Sequence, residues 1–408
     1  MSVENLLMLV HRIPFPPNKG DKVRSFHILQ HLAQHYRVSV GAFVDDPADW
    51  QYQSKLQDLC ADVHLETLSP KWGKLRSLSG LLSGEALSLP FYRSASMQQW
   101  VDRIIAQNDI RKVLIYSSQM AQYVLGKPEM TRIADFVDID SDKWLQYGQS
   151  KSWPLSWVYA REGNKLRQFE IDVASRFDGT TFVSRTEAAD FRRLSGMGEN
   201  KVTHVNNGVD TDYFDPDIVL PSPYQGSGPV LVFTGAMDYW PNIDAVNWFV
   251  AQVLPKIRQQ HPSLQFYIAG ARPADAVLAL ANQPGVVVTG GVPDIRPYIR
   301  HATLAVAPLR IARGVQNKVL EAMALGKQVI ASSQAAEGIE AEPGQHFLIA
   351  DDAEAYTAAV LTALAQPRTE MGMAARSHML QCYGWSASLS QFDRLLAGVS
   401  TSTVSNLA

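Results

Sequence analysis

Short runs of consecutive apolar residues alternate with longer stretches whose apolar positions recur every three or four residues, along nearly the whole chain. Runs apolar on both sides read as strands of a parallel sheet, and the periodic stretches as the helices that cross between them. In the first half this predicts strands at Leu6–Val10, Val38–Phe43, Val63–Leu65, Val113–Tyr116, Ile133–Val137 and Gly179–Val183. Helices are predicted over Arg24–His35, where Phe26, Leu29 and Leu32 share a face, over Met97–Ala106, and over Lys143–Ala174 with a break near Pro154. The pattern then restarts, with strands at Val230–Thr234, Leu264–Ala269, Val286–Thr289, Leu304–Pro308, Gln328–Ser332 and His346–Ile349. Helices fall between them at Ile243–Gln260, Pro297–His301 and Asn317–Leu325. The Pro-, Ser- and Gly-rich stretch Asp215–Pro229 reads as the linker, and the Ser/Thr-rich tail Gly398–Ala408 as a loose end.

Two doubly wound α/β domains follow, at 1–210 and 211–384, with a helix at about 385–400 packing back on the first. They are expected to face each other across a cleft at the carboxyl ends of their sheets, where such folds bind ligands. A length of 408 residues suits two domains of roughly 200 each. The net charge of −3 argues against a nucleic-acid partner. Cys60 and Cys382 are far apart, lack metal spacing, and read as free thiols of a reducing compartment. The apolar run Leu6–Val10 follows Glu4 and is too short for a signal peptide or for a span of about 20 residues, so a cytoplasmic protein is expected. Neither half carries G-x-G-x-x-G after its first strand, where only Gly20 and Gly235 stand, which argues against a nicotinamide dehydrogenase. The ten histidines show no metal-ligand spacing, and no nucleophile motif is present.

The most informative stretch runs from Arg313 through Gly314, Val315, Gln316, Asn317 and Lys318 to Glu321 and Gly326, after the strand ending at Pro308. A glycine loop opening a helix leaves backbone amides free for an anion. Lys318 falls in the first turn, where its ammonium neutralises a diphosphate that the helix dipole already attracts. Glu321, three residues on, shares that face and suits two vicinal ribose hydroxyls. As a plain surface helix this would be only a Lys–Glu pair, but Val319, Leu320, Ala322, Met323 and Ala324 mark a buried helix, where charges face a cavity.

The run LEAMALGKQVIAS, after APL and the glycine loop, resembles the donor-binding signature of family 4 glycosyltransferases, retaining enzymes of GT-B fold. Other segments resemble the family in order: Thr181–Ser184, the N-G-V-D of Asn207–Asp210, Phe233-Thr234-Gly235, and the loop Gly290-Gly291-Val292 that meets the nucleobase. PFPPNKGDKVRSFHIL, VDIDSDKW and GAMDYWPNIDA are more narrowly similar to sugar transferases of exosortase-associated exopolysaccharide clusters (PEP-CTERM systems). The resemblance implies a transferase of class EC 2.4. It would move a sugar from a nucleoside diphosphate sugar to an acceptor hydroxyl, on a glycan or lipid-linked sugar, with retention and without metal or other cofactor. The chain departs from the family at Arg313, which stands where a first carboxylate precedes Glu321, and at Ala236–Asn242, which replace a basic pair. Phosphate neutralisation then rests on Lys318, Arg313 or Arg310, with Lys318 and Arg313 in the catalytic role.

Three further segments are weighed against plain structure. Lys19, Gly20 and Arg24 stand where the family has a diphosphate or acceptor loop, though Asp21 as an N-cap explains them equally. Asp135, Asp138 and Asp140 sit near a strand's end, where an extended chain would turn them to one side, and Asp138 or Asp140 would orient or deprotonate the acceptor; a solvated cap is the plain alternative. Trp72, Leu75, Leu78 and Leu82, among Lys71, Lys74 and Arg76, would make an interfacial helix at the cytoplasmic membrane face, with an acceptor-side loop as the alternative. For the whole chain, a sugar-nucleotide epimerase or hydrolase and a non-catalytic sugar-nucleotide sensor remain competing readings.

Overall fold

The computed structural model describes residues 3–17, 20–312 and 314–398. The chain forms two compact units, one of residues up to Asn206 together with those from Leu389 onward, the other Asn207–Ser388.

The first unit is built on a seven-stranded sheet in the order β3-β2-β1-β4-β5-β6-β7. Its strands are β1 (Asn5–Val10), β2 (Arg37–Val44), β3 (Asp62–Thr67), β4 (Lys112–Tyr116), β5 (Thr131–Val137), β6 (Gly179–Phe182) and β7 (Val202–His204). Every neighbouring pair is parallel. The central strands are buried on both faces, which is why they read as unbroken apolar runs. The chain winds outward from β1 to β3 and returns to β4, so the order reverses between β1 and β4.

The second unit repeats the plan with six parallel strands in the order β10-β9-β8-β11-β12-β13. They are β8 (Val230–Thr234), β9 (Gln265–Ala269), β10 (Val286–Gly290), β11 (Leu304–Ala307), β12 (Val329–Ala331) and β13 (Leu348–Ile349), and here the reversal falls between β8 and β11. Phe233, Phe249, Phe266, Ile268, Met323 and Tyr356 are among the side chains filling its core.

Helix ends follow local chemistry. Ser94, Ser184 and Asp352 each cap a helix by accepting from a first-turn amide, and Gly196 closes Arg185–Ser195 at φ 72°. The stretch expected as one helix from Ile243 to Gln260 is three: Trp240–Trp248, a wide turn Phe249–Val253 and Leu254–Gln260. Pro255 has no N–H for the ladder, and Leu254 donates five residues back to Phe249. Strand β7 escaped the hydrophobic pattern because it is three residues long and two of them are Thr203 and His204.

One local expectation fails. Asp135, Asp138 and Asp140 do not share a side: 135 and 138 are an odd number of positions apart, which even an extended chain turns to opposite faces, and β5 in any case ends at Val137 with φ 74°, where the chain turns. Asp135 is left inside the sheet, Asp138 lies in the bend that follows, and Asp140 opens the helix Asp140–Ser150.

Candidate active site

In the second unit, the crevice at the β8/β11 reversal collects the predicted donor residues. Gly235 follows β8, and the segment from Pro308 to Gln316 joins β11 to the helix Asn317–Ala324. Gln316 stands at the N-cap with no side-chain capping bond, its amide turned to the Gly314 carbonyl at 3.2 Å. Gly314 has φ 68°, a left-handed turn that favours glycine. Gly314, Val315, Gln316 and Asn317 are all half-buried. The Asn317 Oδ1 is buried without a hydrogen-bond partner.

Lys318 is the centre of this arrangement. Its Nζ donates to Asn242 Oδ1 at 2.7 Å and lies 4.8 Å from the centre of the Phe233 ring. Asn242 in turn donates to the Ala236 carbonyl at 2.9 Å, which fixes the amide so that its oxygen faces the ammonium. Burial pulls Lys318 down to about 8, opposed by the charge of Glu321. Burial likewise pushes Glu321 up to about 7, with Lys318 pulling the other way. Both side chains sit near their switching points at neutral pH, and both keep partial exposure.

The floor is shaped by two glycines. A Cβ on Gly270 would meet the Gly235 carbonyl oxygen at 1.7 Å, and one on Gly235 would meet Asn242 Nδ2 at 2.7 Å. The loops after β8 and β9 therefore touch backbone to backbone beneath Lys318. Gly290 (φ 70°) ends β10, and Gly291 and Val292 follow it at the same carboxyl edge.

Arg310 behaves differently from expectation. Its guanidinium is engaged by Asp244, with Nε to Oδ2 at 3.0 Å, and hydrogen bonding to that carboxylate raises its pKa. Its charge is already balanced. Arg313 and Lys19 lie outside the described residues.

In the first unit, the crevice at the β1/β4 reversal is lined by residues the hydrophobic pattern could not single out. His11, just past β1, stacks on Tyr116 at 5.7 Å and meets the edge of Tyr92 at 5.9 Å. Its Nδ1 is buried without a hydrogen-bond partner. Arg12 bridges Asp21 at 2.6 Å and Asp45 at 2.9 Å. Burial pushes Asp21 upward, but hydrogen bonding from His11 and the charge of Arg12 outweigh it and hold the carboxyl well below its ordinary value. Past β4, Ser117 takes φ 76°, a sparsely populated conformation of the kind that clusters at ligand sites. Lys143 donates to Asp138 at 2.8 Å and Asp140 at 3.1 Å, and Gln119 reaches Asp140 at 3.4 Å. Burial opposes the Lys143 charge, but the two carboxylates prevail and raise its pKa.

Gly20 opens the helix Gly20–His35, but Arg24 is no free cation. It is 1% exposed and forks onto Asp135, itself 0% exposed, at 2.8 and 3.0 Å, with Thr181 donating to the same carboxylate at 2.9 Å. Its neighbours in the sequence gave no sign of a partner 111 positions away. Asn242, Gly270 and His11 are the other residues that sequence reasoning passed over. Asn242 and His11 each follow a first strand, the position that could have flagged them.

Residues 228–366 match the family model described as Glycosyl transferases group 1. No curated protein sequence matches the chain. Among solved structures, the chain is similar to a sucrose-phosphate synthase from Thermosynechococcus elongatus (TM-score 0.68, 18% identity, 97% of this chain and 98% of that one). It is also similar to a glycosyltransferase from Rickettsia africae (TM-score 0.67, 12% identity, 98% and 99%). A third is the Anabaena protein HepE in complex with UDP (TM-score 0.64, 16% identity, 97% and 99%). These likenesses establish the two-domain GT-B fold across nearly the whole length. Within that fold, residues 228–366 are similar to a glycosyl transferases group 1 domain, and the enzyme class this supports is that of a glycosyltransferase.

Proposed function

We propose that the protein transfers a glycosyl group from a nucleoside diphosphate sugar to an acceptor hydroxyl with retention of configuration, in the assembly of an exopolysaccharide or related glycan. The carrying observation is Lys318, held by Asn242 over a floor of two touching glycine loops at an uncapped helix start. A diphosphate there meets helix amides and one ammonium, and Glu321, one turn further, takes the ribose hydroxyls. HepE was solved with UDP and with UDP-glucose, which supports a nucleotide-sugar donor. With Arg310 tied to Asp244, the leaving phosphate's charge rests on Lys318, the helix start and Arg313. No divalent metal takes part in this reading.

The acceptor reading falls on the first unit's crevice, where Asp138 and Asp140, braced by Lys143, orient the hydroxyl and His11 offers an unsatisfied ring nitrogen. The acceptor is a glycan or lipid-linked sugar met at the membrane surface. Helices Pro70–Ser77 and Ser79–Ser83 support this, with Trp72 67% and Leu82 92% exposed beside exposed Lys71 and Lys74. Trp153, 80% exposed, and Trp157 project from the neighbouring turn and helix, which Arg161 ties to the carbonyl of Gly80 at 2.7 Å. Segments 68–84 and 143–161 contain no Asp or Glu. Trp and Leu flanked by Lys is the composition of an interfacial surface facing anionic lipid.

A thermal-shift panel of UDP, GDP, ADP, TDP and CDP, followed by incubation of labelled donor with lipid extract in EDTA, tests the proposal. Label moved into a glycan or lipid despite chelation is the expected outcome. Binding without turnover would make the protein a sensor, an altered free sugar nucleotide an epimerase, and free sugar alone a hydrolase. Activity abolished by EDTA and restored by Mg²⁺ would overturn the metal-free mechanism.

A further inference from the structure

The helix Gly20–His35 carries His27, His31 and His35 one turn apart, and His31 and His35 share their face with a carboxylate from the far end of the chain. We infer that His31, His35 and Asp393 form a binding site for a transition-metal dication of the zinc type, which clamps the C-terminal helix Trp385–Leu396 to the helix after β1. This i, i+4 spacing overturns the expectation that the histidines lack metal-ligand spacing. Only the helix puts the two rings on one side, and only the fold adds Asp393, 362 positions away from His31.

The geometry is close to assembled. One ligand atom from each residue lies within 4.8 Å of the others, the only such trio among the described residues. His31 Nε2 and Asp393 Oδ2 already stand 2.8 Å apart, and the rings of His31 and His35 are 5.2 Å between centres. Zinc bonds of ~2.0–2.1 Å in a tetrahedron place ligand atoms roughly 3.3 Å apart. His35 is exposed, so its ring is free to turn inward, while the half-buried side of the site stays fixed. A second observation points to a missing ligand: Asp393 Oδ1 is buried without a hydrogen-bond partner. Lys112, which like Asp393 acts on Tyr36, is occupied: it is held by Glu4 at 2.6 Å and lies over the Tyr36 ring at 5.3 Å. Two imidazoles and one carboxylate suit zinc, cobalt or nickel and not the oxygen-only shells of magnesium or calcium. Water completes the coordination.

The role is structural. His31 and His35 end a 16-residue helix whose first turn holds Asp21, so the site stands roughly 20 Å along the helix from the β1/β4 crevice. A bound ion stabilises the unit by tying a late segment to an early one, by RT ln(1 + c/Kd) at a free zinc concentration c. The experiment is a titration of the tag-free full-length protein with ZnCl₂, using a competing chromophoric chelator and thermal unfolding in parallel. The expected result is one equivalent bound, a Tm that rises with the logarithm of free zinc once the site is filled, and visible absorption of tetrahedral type when Co²⁺ replaces Zn²⁺. His35→Ala, a change at an exposed side chain, should weaken zinc binding about 100-fold or more, since even an indirect neighbour of a ligand is worth ~10–100-fold. Asp393→Asn, which keeps a hydrogen-bond acceptor for His31, should do the same. Glycosyl transfer should be unchanged in His35→Ala, which separates this site from the donor reading. Zinc bound equally by both variants, or no stoichiometric binding by the unaltered protein, would overturn the inference.

Discussion

Lys318 and Glu321 carry opposed requirements that make them a pH-dependent pair. Burial disfavours both charges, lowering the lysine to about 8 and raising the glutamate to about 7. Under the proposed function a nucleoside diphosphate needs both charged, one for phosphate and one for ribose. Below pH 7 Glu321 holds a proton that binding must displace, and above pH 8 Lys318 has lost the one it needs. Affinity for the nucleoside diphosphate should therefore peak between about pH 7 and 8 and fall on either side. Isothermal titration across pH 5.5–9.5, a range of about four units set by these two groups, reads this directly. Glu321→Gln should flatten the acid limb and Lys318→Ala the alkaline one. Lys318→Ala should also lower kcat by about 10²-fold, because the phosphate gains charge as the glycosidic bond breaks. A loss confined to KM would make Lys318 a uniform binding contact instead.

At the scale of elements, the donor crevice depends on how closely the loops after β8 and β9 approach. Gly270→Ala would press a methyl to 1.7 Å from the Gly235 oxygen, which backbone cannot yield without moving Gly235 and with it the seat of Asn242 and Lys318. Overpacking of this kind costs about 1–3 kcal/mol. The variant should show a lowered Tm and weaker nucleotide binding, where Gly226→Ala, with nothing within 4 Å, loses at most its left-handed conformation. Unchanged affinity in Gly270→Ala would mean the two loops do not set the site. The same contact shows where sequence reading stops. Strands and the helix Asn317–Ala324 were legible because burial on both faces writes continuous apolar runs, and Lys318 and Glu321 because charge inside such a run stands out. The Gly270–Gly235 approach, the Arg24–Asp135 fork and the Lys318–Asn242 bond join residues 35, 111 and 76 positions apart, and nothing local in the chain encodes them. The break at Val137 was hidden for another reason: a valine at positive φ contradicts its own preference.

At the scale of the molecule, the chain leaves its first unit at Asn206 and comes back to it only at Leu389. The returning helix is amphipathic, and Leu389, Phe392, Leu395 and Leu396 are buried. It is fastened to the first unit by polar contacts too: Gln391 donates to Thr203 at 3.1 Å, and Asp393 meets His31. Burying four such side chains contributes on the order of 6–12 kcal/mol as an upper bound, at ~1.5–3 each. That is comparable with the whole stability of an ordinary domain, about 5–15 kcal/mol. Ending the chain after Ser388 should therefore unfold or strongly destabilise the first unit. The second unit, Asn207–Ser388, keeps all of its own strands and its core. Calorimetry of the truncated protein should show the first unit's transition lost or shifted down by more than 10 °C, a shift of roughly the size that several kcal/mol produces in a domain of this length. The nucleotide-dependent shift of the second unit should persist, since Lys318, Glu321, Asn242 and both floor glycines lie inside it. A truncated protein melting like the full chain would show that the first unit's stability does not depend on its last helix. Loss of the nucleotide response would show that the donor site draws on residues outside Asn207–Ser388.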